Sequence, residues 1–349
     1  MKIAQVAPLV ESVPPSLYGG TERVVSYLTE ELVRQGHQVT LYASGDSETA
    51  ARLVPIVPRA LRLDTKVRDY LPYTYLQIDR VFRDAEAFDI LHFHVDLVHF
   101  PLLHEMADRV LTTLHGRLDL PDLVPFYRAF SDMPLVSISD HQRTPMPPVR
   151  WMGTVPHGLP PNLYRYGAGE GGYLAFLGRI SPEKGPERAI AIATRTGVPL
   201  KIAAKVDRVD QDYFESCIRP LLDNPLIEFV GEVDEAGKQE LLANARALLF
   251  PIDWPEPFGL VMIEAMACGT PVIAFARGSV PEVLEDGLTG FLAADIGEAA
   301  AAVGRVGSLS RPRIRRRFEE RFTAEHMARN YVAIYRAMAK QATPAFAAA

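Results

Sequence analysis

A chain of 349 residues, 48% hydrophobic and 23% charged, is long enough for two ordinary domains and has a soluble, globular composition. Its net charge of -6 argues against a nucleic-acid partner. Two cysteines, Cys217 and Cys268, support neither a disulfide framework nor a metal cluster, and no apolar run reaches spanning length, so the expected setting is cytoplasmic, with any membrane contact peripheral at the inner face.

From the N-terminus onward, short apolar or β-branched runs alternate with segments of helical period, the pattern of parallel sheets built from βαβ units. The run 2–7 enters a strand at once, with no secretory leader expected ahead of it. A proline-rich stretch follows, and Tyr18-Gly19-Gly20-Thr21-Glu22-Arg23 then opens an amphipathic helix ending at Gly36. Gly19 and Gly20 would let backbone N–H groups approach a phosphate or a sugar hydroxyl; alternatively the segment is a plain loop with Thr21 as helix cap. The dinucleotide fingerprint G-x-G-x-x-G is missing after this strand, which counts against an NAD enzyme. Further strands are expected at 38–43, 90–94, 111–114, 135–139 and 153–155. His92, His94 and His99 gather near Asp96, but no metalloenzyme motif surrounds them and no metal is expected there. His115 stands at a strand end, where it is as readily structural as catalytic.

The glycine density of 166–172 reads as a domain boundary: a first domain at 1–166, a linker at 167–172 and a second domain at 173–322. Strands of the second domain are expected at 173–177, 200–204, 227–230, 247–250, 272–275 and 290–292. The fold class is therefore α/β, with two Rossmann-like, doubly wound parallel sheets. Ligands of such sheets bind beyond the carboxyl ends of the strands, so the two would face a central cleft. Arg311 to Arg317 is a basic run read as solvated surface. The terminal helix, 323–343, carries Met327, Tyr331, Ile334, Tyr335 and Met338 at helical spacing, a stripe suited to docking back on the first domain, and the tail after Thr343 is expected to fray.

Two segments of the second domain carry chemistry. In Gly178-Arg179-Ile180-Ser181-Pro182-Glu183-Lys184-Gly185 a strand ends in a turn with two cations, Arg179 and Lys184, which together can neutralise a diphosphate. In Glu256-Pro257-Phe258-Gly259-Leu260-Val261-Met262-Ile263-Glu264 two carboxylates flank a turn that opens an apolar helix. The N–H groups of Phe258, Gly259 and Leu260 would present that helix's positive end to an anionic leaving group. Acids beside a phosphate must accept bonds from neutral hydroxyls, which a nucleotide sugar has at both ends, so one carboxylate could read the sugar and the other the ribose. The alternative is a buried strand-turn-helix in which Glu264 caps something local and Glu256 is solvated. Asp210-Gln211-Asp212 falls at a helix start, where acids favour the dipole without any metal.

Several motifs, spread in order over most of the chain, together resemble a known family. They are the Glu256 to Glu264 run with Ala265-Met266-Ala267-Cys268-Gly269-Thr270-Pro271-Val272-Ile273-Ala274 after it, Gly178-Arg179 with Lys184-Gly185, Gly19-Gly20, Gly278-Ser279-Val280-Pro281-Glu282, and Asp286-Gly287-Leu288-Thr289-Gly290-Phe291. The family is that of the retaining glycosyltransferases of family 4, or group 1, with the GT-B fold. The resemblance implies transfer of a sugar from a nucleoside-diphosphate donor, UDP-linked more often than GDP-linked, to a hydroxyl acceptor with anomeric configuration retained. Position by position, it implies that Glu256 binds donor-sugar hydroxyls and Glu264 the ribose, that Arg179 and Lys184 hold the diphosphate, and that the amides of Phe258, Gly259 and Leu260 contact sugar and diphosphate. Gly19 and Gly20 match the family's glycine pair, and His115 in Thr113-Leu114-His115-Gly116 matches a histidine beside the donor sugar. His157-Gly158 departs from the asparagine-glycine of many members. Front-side attack is the implied mechanism, with a donor phosphate oxygen taking the acceptor's proton and with cationic side chains in place of a metal or other cofactor. The acceptor stays open among small molecules, oligosaccharides and lipid-linked glycans. Two alternatives also stay open: a non-catalytic nucleotide-sugar-binding subunit, whose mark would be loss of these acids or cations, and a GT-B nucleotide-sugar epimerase, which would need no acceptor.

Overall fold

The computed structural model describes residues 1–16 and 19–342, so Tyr18 and the tail after Thr343 lie outside the described residues. The chain divides into two compact units, one of Met1–Gly158 with the chain from Ala324 onward, the other of Leu159–Thr323.

The first unit is built on seven parallel strands: β1 Lys2–Val6, β2 Gln38–Ser44, β3 Arg52–Val57, β4 Ile90–Phe93, β5 Val110–Thr113, β6 Leu135–Ser137 and β7 Trp151–Thr154, in the order β3-β2-β1-β4-β5-β6-β7. The central strands are largely apolar because helices cover both faces; every residue of β4 and of β5 is buried, the polar His92, Thr112 and Thr113 included. Sequence reasoning missed β3. It is an edge strand that among the described residues pairs only with β2, is fully buried at just Val54 and Val57, and contains Pro55, which an edge tolerates and a central strand does not.

The order reverses between β1 and β4, so the loops after these strands turn to opposite faces and leave a crevice at their carboxyl ends. Register brings Val6 of β1 beside Phe93 of β4, which delivers His94 to that crevice, with His115 following β5. The terminal helix, Ala324–Ala342, belongs to this unit, with Met327, Tyr331, Tyr335 and Met338 buried. Its stripe therefore docks as the helical spacing predicts.

The second unit has six parallel strands: β8 Leu174–Arg179, β9 Leu200–Lys205, β10 Ile227–Gly231, β11 Ala247–Phe250, β12 Val272–Phe275 and β13 Gly290–Ala293, in the order β10-β9-β8-β11-β12-β13. Here the order reverses between β8 and β11, and the two loops at that switch carry Lys184 and Glu256. The chain thus repeats one architecture, with a crevice at the switch point of each sheet.

The glycine-rich run at 167–172, expected as a linker, is instead part of the second unit. Its backbone is tied down by N–H bonds from Gly167 to the Cys268 carbonyl at 3.0 Å, Gly169 to Ala243 at 3.1 Å and Gly171 to Asn244 at 2.9 Å. A Cβ on Gly167 would stand 2.2 Å from the Ala243 carbonyl oxygen, so glycine is required here by close backbone approach rather than by flexibility. The basic run is not simply solvated surface either. Arg311 donates to the carbonyls of Gly167, Ala243 and Ala245, Arg315 to that of Tyr164, and Arg317 bonds Glu285, so three of its guanidiniums serve as internal clamps. Among the described residues no helix is long and apolar enough to cross a membrane.

Candidate functional site

At the β8 switch the chain leaves Arg179, turns through Ile180 to Lys184, and starts the helix Pro186–Thr196 from Gly185, which has φ 71°. A Cβ at Gly185 would meet the Pro251 carbonyl oxygen at 2.4 Å, so glycine lets the two switch loops lie against each other. Lys184 therefore reaches the other loop. Its Nζ lies 2.5 Å from Glu256 Oε2 and 4.7 Å from the centre of the Trp254 ring. Trp254 Nε1 donates to the same carboxylate oxygen at 2.9 Å. Glu256 is only 7% exposed, so the solvated alternative for this acid is wrong; a buried carboxylate needs such partners. Trp254 escaped sequence reasoning, although a tryptophan two residues before the acid was a visible signal.

The loop that carries Glu256 is pinned from behind. Gly278, at φ 57°, packs so closely that a Cβ would stand 2.3 Å from the Glu256 nitrogen, while Ser279 donates its N–H to the Glu256 carbonyl at 2.9 Å and its hydroxyl to the Phe258 carbonyl at 3.0 Å. This gives the Gly278-Ser279 motif a physical role: it fixes the Glu256 loop. Gly278→Ala is accordingly expected to cost about 1–3 kcal/mol of stability by strain and displacement of that loop, read from chemical denaturation. An unchanged midpoint would show that the loop yields freely.

Gly259, at φ 81°, precedes the helix Leu260–Ala267, whose first-turn amides point out of the helix start. Glu264, 2% exposed, lies within that helix, its Oε1 accepting from Lys238 Nζ at 3.1 Å and from the Tyr164 hydroxyl at 3.3 Å. Both donors also serve Glu235, Lys238 at 3.0 Å and the Tyr164 hydroxyl at 2.7 Å. Glu264 thus takes its partners from remote segments, not from the local group that the alternative expected, and one of them is a cation. Lys238, Tyr164 and Glu235 had no motif to betray them, since only folding brings them together.

Arg179 is placed among acids. It bonds Glu183, with Asp210 at 3.6 Å and Asp207 at 3.9 Å. Asp210, first residue of the Asp-x-Asp, is pushed up by burial and by Glu183 and Asp207, against the pull of Arg179. Lys184, not Arg179, is the cation on Glu256.

The other predicted residues lie in the first unit. Gly19 caps the helix Gly20–Arg34, and a Cβ there would meet Pro15 at 2.8 Å, so the glycine is needed for packing; the helix starts ahead of Thr21, which is therefore not its cap. Thr21, His94, Asp96 and His115 line a cavity of about 290 Å³ at the β1/β4 switch. Asp96 has φ 53°, a left-handed conformation unusual for a residue with a side chain, and burial pushes its carboxyl up to about 6. His115 Nε2 meets His94 Nδ1 at 2.8 Å, and its ring stacks on His157 at 5.2 Å between centres. Burial lowers His115 to about 3, so it is neutral at pH 7. His99 leaves this group: it stacks on Phe93 at 3.9 Å and bonds Thr112 at 2.8 Å.

Two Rossmann-like units, each with a polar crevice at its topological switch, define the GT-B class of enzymes. Residues 168–322 match the family described as Glycosyl transferases group 1, and residues 18–151 the one described as Glycosyltransferase Family 4. The chain belongs to the family 4 glycosyltransferases. It is 27% identical to a phosphatidyl-myo-inositol mannosyltransferase of Mycobacterium leprae, over 91% of this chain and 90% of that protein. It is also 27% identical to an N-acetyl-alpha-D-glucosaminyl L-malate synthase of Bacillus anthracis, over 91% of this chain and 93% of the other. Among solved structures, a sucrose-phosphate synthase from Thermosynechococcus elongatus has the same fold, with a TM-score of 0.78 over 98% of this chain and 100% of that one at 18% identity.

Proposed function

We propose that this glycosyltransferase moves a sugar from a nucleoside-diphosphate donor, with UDP the first base to test, to a hydroxyl acceptor with retained configuration and without a metal ion. The observation that carries this reading is the contact of Lys184, Trp254 and Glu256 at the β8/β11 switch, next to the start of the helix Leu260–Ala267. Cleavage at the anomeric carbon puts negative charge on the departing diphosphate, so preorganised positive charge is the largest single contribution expected. Lys184 and the amides of Phe258, Gly259 and Leu260 supply it, and Arg179 joins them by exchanging one of its acids for phosphate oxygen. A diphosphate that takes over Lys184 leaves Glu256 free to accept from neutral sugar hydroxyls. Glu264, which shares Lys238 with Glu235, then accepts from the ribose. The two curated relatives are named for different sugars and different acceptors, so sugar and acceptor are matters for screening.

Two measurements test this. Transfer should proceed undiminished in excess EDTA; activity abolished by EDTA and restored by Mn²⁺ would contradict the metal-free account. Glu264→Ala should weaken the free nucleoside diphosphate by about tenfold in calorimetric titration, the worth of a hydrogen bond to a charged group. Parent-like affinity in that variant would remove Glu264 from the nucleotide site.

A further inference from the structure

Behind His115 lies a buried chain of hydrogen-bonding side chains for which donor binding alone gives no reason. His115 Nε2 meets His94 Nδ1 at 2.8 Å, and His94 Nε2 meets Gln5 Oε1 at 2.7 Å. On its other side Gln5 Nε2 faces the Tyr335 hydroxyl at 3.2 Å, which lies 2.7 Å from His92 Nδ1. His92 Nε2 in turn meets Thr113 Oγ1 at 2.8 Å, and that hydroxyl meets Tyr331 at 2.9 Å. Gln5, His92, His94, Tyr331 and Tyr335 are all buried.

Each link constrains the next. Burial holds His92 and His94 well below the ordinary histidine range, so both are neutral at pH 7, with one proton each. An amide oxygen only accepts, so His94 carries its proton on Nε2. Its Nδ1 is then bare and can only accept, so His115 must donate from Nε2. That leaves His115 Nδ1 with a lone pair and no partner among the described residues. The opposite polarity would require Gln5 to turn its amide and every bond in the chain to reverse at once. It would also leave an unpaired N–H on His115 inside the protein, which is rarer and costlier than an unpaired acceptor.

We propose that Gln5 and His94 are positioning residues that lock His115 with its proton on Nε2, so that its buried Nδ1, beside the first unit's cavity, is a permanent acceptor held for a neutral sugar hydroxyl that displaces the packing around it. His115 is then no general acid: it reads a hydroxyl, and the carboxylate of Asp96 in the same cavity is a second acceptor facing the same kind of ligand. This inference rests on the glycosyltransferase reading of His115 for its ligand, but the tautomer is a property of the free protein and is testable without substrate.

The first arm is two-bond ¹H–¹⁵N correlation spectroscopy of the intact chain with labelled histidine at pH 7, with resonances assigned through His94→Asn and His115→Asn. His94 and His115 should both show the Nε2–H pattern; an Nδ1–H pattern at His115 overturns the proposal whatever the enzyme does. The second arm is kinetic. His94→Leu should lower kcat by about tenfold with donor KM little changed, and His94→Asn, whose amide oxygen can stand in for Nδ1, should recover most of that loss. Equal losses in both variants would mean that His94 only supports the fold. Should His94→Leu fail to fold, Gln5→Glu serves instead: a carboxylate favours a doubly protonated His94, which reverses the His115 tautomer, and Nε2–H at His115 in that variant would break the claimed linkage. A parent protein that turns over no nucleotide sugar would refute the functional reading and leave the tautomer result standing.

Discussion

Acidification from pH 7 to pH 5 is expected to unfold the first unit, with thermal stability falling steeply once the pH passes below about 6.5. His92, His94, His99 and His157 are buried and His115 half-buried, and burial depresses all five, His99 and His115 to about 3. In the unfolded chain each titrates near 6.5. Between those values the unfolded state binds protons that the native state refuses, so stability is full above about 6.5 and is lost as pH falls toward the folded values. His99 and His115, lowered to about 3, each forfeit about 2 kcal/mol on going to pH 5, and His92, His94 and His157 change stability in the same sense. Those two losses alone are a large part of the order of 5–15 kcal/mol that stabilises a whole domain. Asp96 and Glu22, both raised chiefly by burial, work in the opposite sense, gaining stability as they protonate, but they are two groups against five. Calorimetric scans from pH 8 to pH 5 test this. The transition temperature should drop with a slope of several protons, and His99→Gln should make that slope shallower by about one. A transition temperature that is flat over this range would mean that the histidines protonate without unfolding the protein.

Lys184→Ala should reduce turnover by about 10²–10³, the scale seen when a preorganised donor to developing charge is removed. It should also destabilise the second unit, because Glu256 would keep, among the described residues, only Trp254 as side-chain partner for a carboxylate that is 7% exposed. These two effects can be separated. Adding Glu256→Gln neutralises the stranded acid and should restore much of the denaturation midpoint, yet turnover should stay low or fall further. A double variant that regains both would make the pair a structural device with no part in catalysis.

Much of the architecture was legible because it is local. Every expected strand is present within a few residues, since parallel strands covered on both faces are continuous apolar runs punctuated by glycine or proline. The placement of Lys184 and Glu256 was legible too, because topology puts the loops after β8 and β11 at one switch point. What escaped depends on segments remote in sequence. Tyr164, Lys238 and Glu264 meet only because their elements pack together, and Gln5, His94 and His115 become a relay only when β1, β4 and β5 align. The glycines at 167–172 and the arginines from Arg311 misled for a related reason. Glycine signals either freedom or close approach, and arginine either solvent or a set of buried carbonyls; composition is the same in both cases, and only the neighbours decide.

Lys184 and Glu256 are proposed to handle a nucleotide sugar and so to make this protein a retaining transferase. The most direct test is incubation of the parent, Lys184→Ala and Glu256→Gln with a panel of UDP- and GDP-hexoses in EDTA, with and without pooled hydroxyl acceptors, following nucleoside-diphosphate release and the anomeric signals of the product by NMR. The account predicts that the parent consumes one donor, faster with acceptor, to give a linkage of the donor's own anomeric configuration, and that both variants lose this activity. Donor bound but left intact would indicate a binding subunit, donor isomerised without acceptor an epimerase, and an inverted linkage or unimpaired variants a different chemistry; any of these would contradict the account.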